Sequence, residues 1–129
     1  MATTSTFTIT GVDFVYVPVK DFDRAAKFYG DVLGLECAVR YDKAPGGEFE
    51  TGNLTLQLVE AEKMGRKVTP SPNPIALHVE DVAAARAELE SRGIEFMGDT
   101  FDSGVCHMAF FADPDGNELM LHRRYAPYE

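Results

Sequence analysis

The chain is written twice. Val17-Pro18-Val19-Lys20-Asp21 and Leu77-His78-Val79-Glu80-Asp81 each end an alternating stretch and open an Ala-bearing helical one, which stops at Gly34 in the first half and at Gly93 in the second. A strand, an acidic helix start and a glycine-terminated helix occurring in both halves mark two copies of one β-α-β unit. Two such sheets are expected to enclose a cleft, and the residues lining it decide the function.

With 129 residues, 45% of them apolar, the chain is read as one domain over 1–129 that buries a core without disulfides. A net charge of −9 and a pI near 4.7 repel phosphate backbones and anionic lipid, so neither nucleic acid nor a membrane surface is an expected partner. No apolar run reaches membrane-span length, and the polar, Thr-rich start 1–10 lacks a basic region or an apolar signal core. The expected location is cytoplasmic. Cys37 and Cys106 stand far apart without a CxxC pairing, which predicts two small buried thiols.

Alternation predicts a strand over 12–19, with Val15, Val17 and Val19 on one face and Phe14, Tyr16 and Pro18 on the other. Asp21 and Asp23 are candidate caps for a helix over about 24–33, whose stripe of Phe28, Val32 and Leu33 packs on the valine face. Strands over 36–41 and 48–51 flank the turn Ala44-Pro45-Gly46-Gly47. A strand over 53–59 turns Leu54, Leu56 and Leu58 inward and Thr55, Gln57 and Val59 outward. Module one thus spans about 8–60. The proline-rich stretch of about 61–73 is the connection, with the reach of a lid, and module two spans about 74–124. It holds a strand over 75–79, a helix over 82–91 capped by Asp81, a short strand near Glu95, and hairpin strands over 105–112 and 118–123. The turn of that hairpin, Asp113-Pro114-Asp115-Gly116-Asn117, combines a fixed proline φ with a permissive glycine. Residues after Tyr125 are a tail. The fold class is α+β: two βαβββ modules forming a cup-shaped mixed sheet.

Val19-Lys20-Asp21 leading into Phe28-Tyr29-Gly30-Asp31-Val32-Leu33-Gly34-Leu35, together with Phe110-Phe111-Ala112-Asp113-Pro114-Asp115-Gly116-Asn117, resembles the vicinal oxygen chelate superfamily. That family includes glyoxalase I, extradiol dioxygenases, fosfomycin-resistance enzymes and bleomycin-resistance proteins. The resemblance implies two βαβββ modules per cup-shaped site, and a homodimer, as is common among short members. It also implies a divalent metal held by four side chains, usually His, Gln or Glu, from the first and last strands of each module. Carried over by position, those places are Phe14, Pro74, Gln57 and Met120. Phe and Pro bind no metal, the Gln amide is a modest ligand, and the Met thioether is soft. The expectation is therefore no metal and no cofactor, which weighs against glyoxalase, dioxygenase and fosfomycin-modifying activities together.

Two alternatives stay open. His78 and His122, with Glu118, have a facial-triad composition that would suit a displaced iron site. His78, His122 and Tyr16 are also the candidate catalytic groups of a metal-free isomerase acting on a natural product. His107 has the opposite parity and is expected to face away. By alternation the cleft is lined by Phe14 and Tyr16 from the strand over 12–19, Thr55, Gln57 and Val59 from that over 53–59, and Ala76 from that over 75–79. The hairpin adds Cys106, Met108, Phe110, Met120 and His122, and His78 joins them from the strand over 75–79. Such an aromatic, thioether-rich lining suits a flat apolar ligand oriented by Gln57, Tyr16 or His78. The reading from sequence is metal-independent binding of a hydrophobic or aromatic small molecule, in the manner of antibiotic sequestration. Lys63, Arg66 and Lys67 read as solvated loop charge, and Glu80 with Asp81 as helix-start residues.

Overall fold

The computed structural model describes residues 6–127; the first five residues of the Thr-rich start and the last two of the tail lie outside them. Module one contributes β1 (Phe14–Val19), β2 (Glu36–Arg40), β3 (Gly46–Glu50) and β4 (Thr55–Glu60), arranged β1-β4-β3-β2. Module two contributes β5 (Ile75–His78), β6 (Phe101–Asp102), β7 (Cys106–Ala112) and β8 (Glu118–Arg124), arranged β5-β8-β7-β6. In both sheets the first strand runs parallel to the last and every other pairing is antiparallel. A parallel pair needs a crossover, which the helix of each module begins.

α1 (Phe22–Ala26) starts at Asp21, whose carboxylate accepts the Arg24 N–H at 3.0 Å, and α2 (Val82–Ser91) starts likewise at Asp81, which accepts from Ala84 at 3.0 Å. Asp23 caps nothing. It pairs with Arg40 at 2.7 Å. The single helix expected over 24–33 instead widens after Ala26 into a π-helix, Lys27–Val32, where the Leu33 N–H reaches the Phe28 carbonyl five residues back at 2.9 Å. The wide turn seats two consecutive rings in the core, Phe28 against Phe111 and Tyr29 edge-on to Phe28. Tyr29, absent from the predicted stripe, is fully buried.

One apolar cluster joins the inner faces of both sheets to both helices, with Val17, Leu56 and Leu58 from module one and Phe111, Leu119 and Leu121 from module two. A buried polar knot ties the modules. The Tyr29 hydroxyl donates to Asp113 Oδ2 at 2.7 Å, and Asn117 Nδ2 donates to the same oxygen at 2.8 Å and to the Pro18 carbonyl at 2.9 Å. Asp113 Oδ1 takes the N–H groups of Asp115 and Asn117 at 2.9 Å each. Burial, reinforced by the Asp113 charge, pushes the Tyr29 hydroxyl far above its ordinary pKa, so it remains a donor.

Several expected elements move. β3 begins at Gly46 rather than beyond the glycine pair, because Cβ-free backbone lies against the Leu58 carbonyl there. No strand forms near Glu95. The chain makes one bond from Met97 to the Phe110 carbonyl (2.7 Å) and buries Phe96 on Phe111, and the pairing strand arrives later, as β6. The connection contains a 3₁₀ turn, Ala61–Met64, and is pinned at Ser71, which binds Asn117 and Glu118, so it is a strap rather than a free lid. Cys37 is exposed on edge strand β2 and Cys106 is half-buried, against the expected pair of buried thiols. None of the described helices is long and apolar enough to cross a membrane.

Candidate functional site

With the inner faces committed to the core, the outer faces carry every predicted lining residue, in rows fixed by register. In module one the rows are Phe14–Thr55–Glu50–Glu36, then Tyr16–Gln57–Glu48, then Pro18–Val59–Gly46. In module two they are Glu118–Ala112, then Ala76–Met120–Phe110, then His78–His122–Met108–Phe101. Glu36, Glu48, Glu50 and Phe101 were missed from the lining. Their signal was the cross-strand partner, which alternation along one strand does not reveal.

The module-one face is polar and internally bonded. Thr55 donates to Glu50 at 2.7 Å, Gln57 Nε2 donates to the Tyr41 hydroxyl at 3.1 Å, and that hydroxyl donates to Glu48. Desolvation and the Glu48 hydrogen bond raise the Tyr41 pKa. Phe14 and Tyr16 stand out at 48% and 41% exposure, whereas Val59, expected to line the cleft, is buried. The module-two face is apolar, with half-buried Met108, Phe110 and Met120 beside the imidazoles of His78 and His122. His78 Nε2 sits 3.1 Å from Glu80, which also accepts from Arg123 at 2.6 Å, and the His78 bond, then Arg123, hold the Glu80 carboxyl below its usual range. Glu80 therefore serves the face, leaving the helix start to Asp81. Lys63 is paired with Glu60 at 2.6 Å. His107 lies on the opposite side of β7, 3.3 Å from Asp102 and stacked near Tyr125.

A groove of about 530 Å³ between the modules is lined by Leu35, Leu54, Leu77, Leu89 and their neighbours, and a smaller hollow of about 160 Å³ lies between β1 and the start of β8. Of the predicted ligand-binding set, His78 borders the first and Tyr16 the second; Gln57, Met108, Phe110, Met120 and His122 border neither.

The model of the Glyoxalase/Bleomycin resistance protein/Dioxygenase superfamily matches residues 11–121. The chain belongs to this superfamily. The protein YraH of Bacillus subtilis (strain 168) is 25% identical over 117 residues, covering 81% of this chain and 91% of that protein. A glyoxalase family protein from Bacillus anthracis superposes with a TM-score of 0.77 at 24% identity, over 93% of this chain and 99% of that one, which speaks to the fold. TnmS3, an antibiotic binding protein from Streptomyces sp. CB03234, superposes with a TM-score of 0.76 at 26% identity, over 92% of this chain and 98% of that one.

The donor set does not fit the metal that the superfamily's enzymes hold. Met120 stands between Ala76 and Phe110, neither of which is a ligand, and the one carboxylate opposite Gln57, Glu48, is engaged by the Tyr41 hydroxyl. The displaced triad is not assembled: His78 and His122 are neighbours, but Glu118 lies four residues up β8, about 13 Å at ~3.3 Å per residue. Among the described residues no group of three or more His, Cys, Asp or Glu is arranged to hold a metal ion.

Proposed function

We propose that this protein binds a flat hydrophobic or aromatic small molecule without a metal, and that it does so as a cytoplasmic homodimer in which a second copy covers the outer faces. The observation that carries this reading is the module-two face, where Phe110, Met120 and Met108 form an apolar floor beside two imidazoles. Ring and thioether surfaces gain from stacking on a planar guest, and His122 supplies a polar contact that orients it. Tyr16 and Gln57 of the opposing module provide the other wall. The antibiotic-binding relative TnmS3 supports a sequestration role, in which holding the guest is itself the function.

A metal-free isomerase draws less support. The ring nitrogen of His78 is engaged by Glu80, and Tyr16 is not paired with either histidine. The test is a thermal-shift and equilibrium-dialysis titration with an anthracycline-type aromatic antibiotic, with and without EDTA. Saturable binding that is indifferent to chelator and weakened by Phe110→Ala is expected. Binding that vanishes with EDTA, or none to any planar aromatic, overturns the proposal.

A further inference from the structure

We propose that Tyr41 and Glu48 lock the Gln57 amide with its carbonyl oxygen turned to the guest, so that module one selects planar aromatics carrying a hydrogen-bond donor, an amine or a hydroxyl, at the ring edge. Gln57 is the specificity-determining residue, and Tyr41 and Glu48 are its positioning residues. This preference deepens the binding face of the proposed function and rests on that reading.

The lock follows from where the hydrogens go. A tyrosine hydroxyl has one hydrogen to give and lone pairs to receive with, whereas an ionised carboxylate only receives. Tyr41, just beyond β2, is held by its own N–H on the Gly46 carbonyl at 2.9 Å, and its hydroxyl gives its one hydrogen to Glu48 Oε2. Burial, then that hydrogen bond, raises the Tyr41 pKa and keeps the hydrogen in place. Only a lone pair is left for Gln57, which meets it with Nε2 at 3.1 Å. A half-turn of the amide would set Gln57 Oε1 against an oxygen whose hydrogen is already spent, and two acceptors facing each other in a part-buried place are costly. Glu48 on β3 and Gln57 on β4 are cross-strand partners, so two of the three groups are fixed by the ladder itself.

The far end of the amide is uncommitted. Gln57 enters no other hydrogen bond among the described residues, and it shares its row with Tyr16. The neighbouring row repeats the pattern: the Thr55 hydroxyl spends its hydrogen on Glu50 at 2.7 Å and keeps only lone pairs. No Lys or Arg stands in either row to supply a donor. The Tyr16 hydroxyl, which enters no hydrogen bond among the described residues, can give or receive and sets no preference. A wall whose own donors are consumed internally rejects a guest that brings only acceptors, because its oxygens are then desolvated without partners. The floor of Phe110 and Met120 stacks equally well on either kind of guest.

Equilibrium dialysis with aminoanthraquinone and its N,N-dimethyl analogue, which share the ring system and differ in the donor, tests the lock. The natural chain is expected to bind the amine about tenfold more tightly. Gln57→Leu is expected to bring the two affinities together, chiefly by weakening the amine. Tyr41→Phe leaves the acceptor in place and removes what orients it, and Glu48→Gln, at unchanged size, lets the Tyr41 hydrogen turn away; both are expected to narrow the ratio. A loss of folded structure alone would weaken both probes together, so a ratio unchanged in Tyr41→Phe and Glu48→Gln overturns the lock. Equal affinities in the natural chain overturn the donor preference and leave the ligand-binding reading standing; no binding of either probe overturns both.

Discussion

The two sheets share strand order, register and an inner face of valine, leucine and phenylalanine, yet their outer faces have opposite chemistry. Where module one places Tyr16, Gln57 and Glu48 in a row, module two places Ala76, Met120 and Phe110; where module one has Pro18, Val59 and Gly46, module two has His78, His122 and Met108. The inner face is held by a shared core, in which one missing methylene is felt, so both copies keep it. The outer face bears no such packing constraint and differs freely between the copies. What the difference teaches is which rows the shared scaffold leaves free to vary, and they are the rows of the proposed binding face.

The sharpest way to break the comparison is at matched core positions. Leu58→Ala and Leu121→Ala, neighbours of Val17 and Leu77 in the two sheets, are each expected to cost about 2–5 kcal/mol in denaturant unfolding. If one is near neutral, the halves do not share a core role. Next comes the place where the rows differ in backbone. A Cβ on Gly46 would lie 2.2 Å from the Leu58 carbonyl oxygen, so Gly46→Ala is expected to lose about 1–3 kcal/mol, read as a lowered Tm.

The outer faces separate by binding rather than stability. Phe110→Ala or Met120→Ala is expected to weaken the anthracycline-type probe about tenfold, or ~1.4 kcal/mol, against a smaller change for Thr55→Ala. Equal losses on both faces would erase the proposed asymmetry. The smallest effect is the pH dependence that Glu60 of module one contributes. The Lys63 hydrogen bond, then the Phe22 N–H, hold the Glu60 carboxyl below its ordinary value of 4.5. A depressed pKa contributes stability that is complete above that value and lost as pH falls through the folded-state pKa. With Lys63 exposed, less than ~1 kcal/mol is expected, and Glu60→Gln should flatten the acid limb of the stability curve by that amount.

Face membership was legible because a strand has a period of two: Tyr16 with Gln57, and His78 with His122, share faces as alternation predicts. Helix starts were legible at Asp21 and Asp81, whose side chains meet their own N–H groups three residues on. What escaped depended on the third dimension. The π-helix exists because Phe28 and Tyr29 both find room against module two, and β6 waits until Phe96 has packed. The burial of Val59, and a groove lined by Leu35, Leu54 and Leu89, depend on packing between segments that alternation along one strand does not encode. The loop Asp113–Asn117 read as turn chemistry alone, although its polar side chains also reach Tyr29 and Pro18.

That buried knot makes the duplication one-way. At the place corresponding to Tyr29 the second helix carries Leu89, and the hairpin of module one turns through Thr51-Gly52-Asn53-Leu54, without the aspartate that Tyr29 needs. A chain assembled from two first halves would strand a phenol in oil, and one from two second halves would leave an aspartate without its hydroxyl. The halves are alike in plan but have become lock and key, and neither can stand in for the other.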